Sequence, residues 1–212
     1  MKLTDIAWDF DGCLYDSYDH IVSCLLYAVE KFGYSSSDAE IRPYARISAP
    51  YALQCFAPRC GCTYEELRYW YQQKAAEISD LVVPYPELPQ LLRDIVAAGG
   101  RNHICSNRRW ASSAAYLERD GLLELFDSVV GPDTAPGFPR KPEPGLIVHI
   151  QSLHGTEPKK LLMIGDRELD LQAAHGAGSL SCFFDPDGYC RETYETEFTA
   201  KTAEDLRKVI FG

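Results

Sequence analysis

The sequence predicts an α/β fold: a doubly wound parallel sheet whose strand-helix alternation is interrupted, just after the first strand, by a helical insertion. Three observations carry this. An apolar run, Ile6-Ala7-Trp8, opens the chain and ends in Asp9-Phe10-Asp11-Gly12. Short apolar runs then recur with helical patterns between them in the second half of the chain. The stretch between these two regions is almost wholly helical in pattern. Strands alternating with helices form parallel sheets covered on both faces, so their strands read as continuous apolar runs.

The elements follow in order. Asp9 and Asp11 close the first strand. From Ser17 to Phe32 the apolar residues Ile21, Leu25, Ala28 and Phe32 share one helical face, and Gly33 can end the helix. Ser36 to Pro58 reads as helical and irregular by turns. Thr63-Tyr64-Glu65-Glu66 is a capping box, with Leu67, Tyr71, Lys74 and Ile78 down one face of the helix it starts. Two prolines in Val82-Val83-Pro84-Tyr85-Pro86 suit a connection between domains. The expected division is therefore an α/β core of 1–14 with 85–212 and a helical cap of 15–84. In the core, Leu88, Leu91, Leu92 and Ile95 mark a helix ended by Gly99-Gly100. Strands are expected near Asn102–Ser106, Asp127–Val130, Leu161–Ile164 and Leu180–Phe184. A helix after Pro142 should place Leu146, Ile150 and Leu153 on one face, and Thr202 should cap a last helix to Phe211.

Composition narrows the functional classes. With 212 residues, 46% hydrophobic and 25% charged, the chain is long enough for a sizeable core and is not disordered. A formal charge of −10 offers no positive field for nucleic acid or an anionic membrane. No apolar stretch is long enough to span a bilayer and no signal-like segment opens the chain, so a cytoplasmic location is expected. Eight scattered cysteines without a signal read as reduced thiols, and Cys60-x-Cys62 lacks the second pair a zinc site needs. The five histidines show no paired spacing and are not assigned to metal. Oligomeric state is not encoded in any of these patterns.

In an open α/β sheet, ligands bind beyond the carboxyl ends of the strands. Those ends supply Asp9 and Asp11, Ser106 and Asn107, and Asp166 with Asp170, while Lys141 precedes the helix between the third and fourth of these strands. Asp9-Phe10-Asp11-Gly12-Cys13-Leu14, the lone Ser106, Lys141-Pro142 and Gly165-Asp166-Arg167-Glu168-Leu169-Asp170 resemble, in order and spacing, the four signatures of the haloacid dehalogenase superfamily. The resemblance covers the whole chain and is closest to phosphoglycolate-phosphatase-like and β-phosphoglucomutase-like members with a helical cap.

That resemblance implies a phosphoryl-transfer enzyme acting on a small phosphorylated metabolite with Mg²⁺. Asp9 would be the nucleophile, Asp11 the acid and then the base, and Lys141 the balancing charge. The implied metal ligands are Asp9, the Asp11 carbonyl, Asp166 and Asp170; Gly12, Ser106, Asn107 and Lys141 would bind phosphate. The chemistry agrees with the residue types, because carboxylates alone repel a phosphate and need a hard cation and a lysine to reverse the field. Arg42 and Arg46 of the cap and Arg108 are the candidate specificity contacts. Asp11 argues against the halide-removing branch, which lacks this second acid, and a phosphonate-cleaving relative would need a cap lysine, for which Lys31 and Lys74 alone are available. A sugar phosphomutase using the same groups and a noncatalytic metabolite-binding protein of the same fold are the two rivals. Arg108-Arg109 after Asn107, and Ser48 where relatives often carry glycine, depart from the commonest pattern and leave the substrate open.

Overall fold

The computed structural model describes residues 3–190 and 193–212; positions 1–2 and 191–192 of the expected core lie outside the described residues. Strand β1 (Asp5–Trp8) is buried throughout, with Ile6, Ala7 and Trp8 filling both faces. Two-residue strands β2 (Tyr15–Asp16) and, much later, β3 (Val83–Pro84) pair with each other in a small sheet. Between them run helices α1 (Tyr18–Glu30), α2 (Asp38–Ile47), α3 (Ala49–Phe56) and α4 (Tyr64–Glu77). After β3 come α5 (Leu88–Ala97), β4 (Arg101–Cys105), α6 (Ala114–Arg119), β5 (Phe126–Val130), α7 (Gly145–His154), β6 (Leu161–Gly165), α8 (Glu168–Gly176), β7 (Leu180–Phe184), β8 (Phe198–Ala200) and α9 (Ala203–Phe211). The chain forms two compact units, one of Met1–Tyr15 with Pro84–Gly212, the other Asp16–Val83.

The helical unit is organised by caps and one apolar cluster. Helix α1 buries Ile21, Leu25 and Ala28 as its periodicity requires, and ends short of Phe32 because Gly33 adopts φ +72° and its N–H closes on Glu30 O at 2.9 Å. The stretch that reads as irregular, from Ser36 on, is two helices. Ser37 Oγ accepts from Glu40 N (3.3 Å) and Ser48 Oγ from Tyr51 N (3.1 Å), so each serine starts a helix. Thr63 and Glu66 form the expected capping box on α4, with Thr63 N donating to Glu66 Oε2 at 2.8 Å. Phe56, Leu67, Ile41, Leu25 and Ala28 are fully buried in the cluster these helices share.

In the other unit all strand pairings of the six-stranded sheet are parallel, in the order β5-β4-β1-β6-β7-β8. The chain builds outward from β1 to β4 and β5, then crosses to β6, β7 and β8. The order therefore reverses beside β1, the position at which such sheets open a crevice at their carboxyl ends. The central strands β1 and β6 are buried at every residue, whereas the edge strands β5 and β8 are partly exposed. Helix α7 departs from its expected face: Leu146 and Ile150 are buried, but Ile147 joins them and Leu153 is 55% exposed, because the helix ends one residue later at His154. Strand β8, three residues long, has no counterpart among the expected strands. No helix among the described residues is long and apolar enough to cross a membrane, and all eight cysteines are free thiols.

Candidate active site

The site begins where β1 ends. Asp9 still follows the ladder, donating its N–H to Ile164 O at 3.0 Å, and then the chain turns. Gly12 takes φ +74°, a conformation that disfavours any side chain, and its N–H closes the turn on Tyr15 O at 2.9 Å. Next to it β6 ends at Gly165. A Cβ at that position would lie 2.3 Å from Asp170 Cβ, so glycine is what lets Asp170 fold back over the strand end. Asp170 Oδ2 accepts from Arg167 N at 3.2 Å, tying the first turn of α8 to the same place. Asp9, Asp166 and Asp170 are all buried, with one oxygen from each within 4.8 Å of the others.

Like charges at this separation need cations. Lys141, 3% exposed, donates to Asp170 Oδ1 at 2.5 Å and to Cys105 O at 2.6 Å, and its Nζ lies 3.0 Å from Asp9 Oδ1. Burial opposes the ammonium charge, but Asp170 and Asp9 outweigh it and hold Lys141 above the ordinary lysine range. Burial likewise pushes the Asp9 carboxyl up, and Lys141 and Arg167 together bring it below the ordinary carboxylate range. Arg167 reaches Asp9 Oδ2 at 3.3 Å. A short loop holds the lysine: Asn107 Oδ1 accepts from Lys141 N at 3.0 Å while its Nδ2 donates to Lys141 O at 2.8 Å. Ser106, beside it at the end of β4, is 4% exposed; its hydroxyl helps hold the Asp9 carboxyl down, and its Oγ accepts from Arg108 N at 3.2 Å. Arg108 Nη1 in turn lies 2.7 Å from Asp11 Oδ1.

Four aspartates, a lysine and a serine thus reach one end of one sheet from the ends of β1, β4 and β6 and from the loop before α7. The sequence model of the haloacid dehalogenase-like hydrolases matches residues 6–183, which includes every one of these positions. The chain belongs to that family. Among known relatives, this haloacid dehalogenase-like hydrolase is 28% identical over 189 residues to a phosphoglycolate phosphatase of Vibrio parahaemolyticus, covering 83% of this chain and 81% of the relative. It is 29% identical over 191 residues to a phosphoglycolate phosphatase of Cereibacter sphaeroides, covering 87% and 85%. A solved structure of a haloacid dehalogenase superfamily hydrolase, subfamily IA, variant 1, from Geobacter sulfurreducens superposes with a TM-score of 0.75 at 18% identity over 98% of this chain and 96% of that one.

Within this hydrolase the expected residues separate into three groups. Asp9, Asp11, Ser106, Lys141, Asp166 and Asp170 converge. Gly12 and Asn107 are present but engaged otherwise than the phosphate-binding expectation: the Gly12 N–H closes its own turn, and both ends of the Asn107 amide brace the Lys141 backbone. Arg42 and Arg46 lie in the helical unit, where Arg42 pairs with Asp38 and with Asp19 at 2.8 Å, and Arg46 sits 4.7 Å over the Tyr18 ring. Arg167 was visible in the sequence only as a letter between two aspartates; its proximity to Asp9 depends on how α8 leaves β6. An all-carboxylate oxygen set suits a hard dication rather than a soft metal. Asp9, Asp166 and Asp170 are the carboxylates that could hold such an ion, one oxygen of each lying within 4.8 Å of the others. Four carboxylates here face three cations, so one dication turns a net negative site into one that attracts an anion.

Proposed function

We propose that the protein is a magnesium-dependent cytoplasmic phosphatase that hydrolyses a small phosphomonoester through a phosphorylated Asp9. The observation that carries this reading is the buried meeting of Asp9, Lys141 and Asp166, three residues from distant segments with no structural need to share one place. In the reading, Asp9 attacks phosphorus in line with the leaving oxygen, and Asp11 gives that oxygen its proton. Asp11 then takes a proton from the water that cleaves the aspartyl phosphate, which restores the starting state. Lys141 offsets charge on the phosphoryl oxygens and Ser106 donates to one of them. Asp9, Asp166 and the Asp11 carbonyl would hold Mg²⁺, which supplies Lewis-acid charge neutralisation when bound. Asp170 and Asn107 position Lys141. On the family resemblance, Arg42 and Arg46 of the 15–84 cap contribute to substrate choice.

The relatives named phosphoglycolate phosphatase make 2-phosphoglycolate the first substrate to try. Purified protein should release inorganic phosphate from a panel of phosphomonoesters with Mg²⁺, stop with a chelator, and resume on adding the metal back. Rapid quenching should leave a phosphoryl adduct on the peptide carrying Asp9. Absence of phosphate release across the panel overturns the reading, and isomerisation of a sugar phosphate without net release assigns the rival mutase.

A further inference from the structure

Arg108 is built into the site more firmly than a surface arginine. Its guanidinium lies 5.0 Å from the Phe10 ring centroid and 5.5 Å from that of Tyr116, so two aromatic faces set its plane. Its amide donates to Ser106 Oγ, and a Cβ on Gly131 would come within 2.9 Å of its carbonyl oxygen, so the backbone beneath it is closely backed. Its side chain is 21% exposed and that of Asp11 23%, so the pair at 2.7 Å is reached from solvent on one side. Lys141 and Arg167, by contrast, are directed at Asp9.

If Asp11 protonates the leaving oxygen, that oxygen comes within hydrogen-bond distance of Asp11, and any group two bonds further along the leaving alcohol falls beside whatever pairs with Asp11. We infer that Arg108 is a specificity-determining residue that exchanges its bond to Asp11 for a carboxylate on the leaving alcohol, selecting phosphomonoesters that carry an anionic group next to the ester carbon. The inference rests on the phosphatase reading above and names its substrate class. A planar guanidinium offers a carboxylate two parallel donors, which a hydroxyl of the same size cannot match. Occupying the guanidinium with substrate also releases Asp11 toward the ester oxygen, so the same exchange both binds the right alcohol and frees the acid.

The test compares 2-phosphoglycolate with its neutral counterpart, 2-hydroxyethyl phosphate. A hydrogen-bonded charge pair of this kind corresponds to a preference of about 10- to 100-fold in kcat/KM for the carboxylate ester. Arg108→Gln should bring the ratio of the two values close to one, and Arg108→Lys, which keeps the charge and loses the fork, should restore part of it. Calorimetric titration of both esters into Asp9→Asn protein, with and without Arg108→Gln, reads the same preference as a ratio of dissociation constants without turnover. A thermal melt confirms that each variant is folded. Equal use of both esters by the wild type, or an unchanged ratio in Arg108→Gln, overturns this inference and leaves the phosphatase reading standing. Hydrolysis of neither ester, nor of any other phosphomonoester, overturns both.

Discussion

Strand β1 carries a buried aspartate at each end, about 13 Å apart at 3.3 Å per residue, and the two have opposite surroundings. At the amino end Asp5, 0% exposed, is saturated with donors. Arg101 reaches both its oxygens at 2.8 and 3.0 Å, His103 Nε2 lies at 2.9 Å and Thr4 Oγ1 donates at 2.7 Å. His103 Nδ1 is itself 2.8 Å from Ser128 Oγ, so the network closes on neutral hydroxyls and one arginine. At the carboxyl end Asp9 lies among other carboxylates, and its cations are shared with them. A lone buried carboxylate surrounded by donors does nothing but hold strands together. Several buried carboxylates contending for too few cations leave an unmet demand for positive charge, and that demand is what a metal and a phosphate can satisfy.

The largest expected difference between the two ends is catalytic. Asp9→Asn should lower kcat by about 10⁴ or more while changing unfolding free energy by less than about 1 kcal/mol, because it relieves crowding among like charges. Phosphate release and a denaturant titration on the same sample measure both; a variant that keeps its rate removes Asp9 as nucleophile. Asp5→Asn should do the reverse, costing about 3 kcal/mol of stability with activity per folded molecule unchanged, since it leaves Arg101 and His103 facing a neutral group. Burial pushes the Asp5 carboxyl up, but His103, Arg101 and Thr4 outweigh it and hold it well below the ordinary carboxylate range. Its contribution is therefore complete above the unfolded value near about 4 and is lost as pH falls toward the lower folded value. Denaturant midpoints of wild type and Asp5→Asn should converge between about pH 4 and about pH 2, and a constant gap across that window would remove the carboxylate as the cause. The smallest effect tests how finely the catalytic end is set. Gly165→Ala forces Asp170 aside and should cost about 1–3 kcal/mol and about tenfold in kcat, the second through Lys141. Loss of stability alone would mean that Lys141 tolerates the shift.

Much of this was legible because each signal is local. Ile6-Ala7-Trp8 is apolar on both faces and ends in aspartates, and Thr63 with Glu66 or Gly33 after α1 are readable from spacing alone. The limits were equally physical. Pro43 and Pro50 look like helix breakers, yet Pro43 sits within α2, Pro50 lies in the first turn of α3, and a single extended residue, Ser48, separates the two helices. Strand β8 is too short to show alternation, and Leu153 belongs to a helical face that ends before the helix buries it. In the site, residue types and order were readable, but pairings were not. That Arg108 meets Asp11, that Arg167 meets Asp9 and that the Asn107 amide pairs with the Lys141 backbone all depend on the register β1 keeps with β4 and β6.

The Asn107 amide imitates a rung of sheet between two loops 34 positions apart. It fixes where the Lys141 backbone passes without reference to the intervening chain. The exposed run from Pro136 to Arg140 can therefore change while the ammonium group stays at its post, whereas Val130 and Gly131 cannot, because Ser106 N donates to Val130 O at 3.1 Å and a Cβ on Gly131 would meet the Arg108 carbonyl.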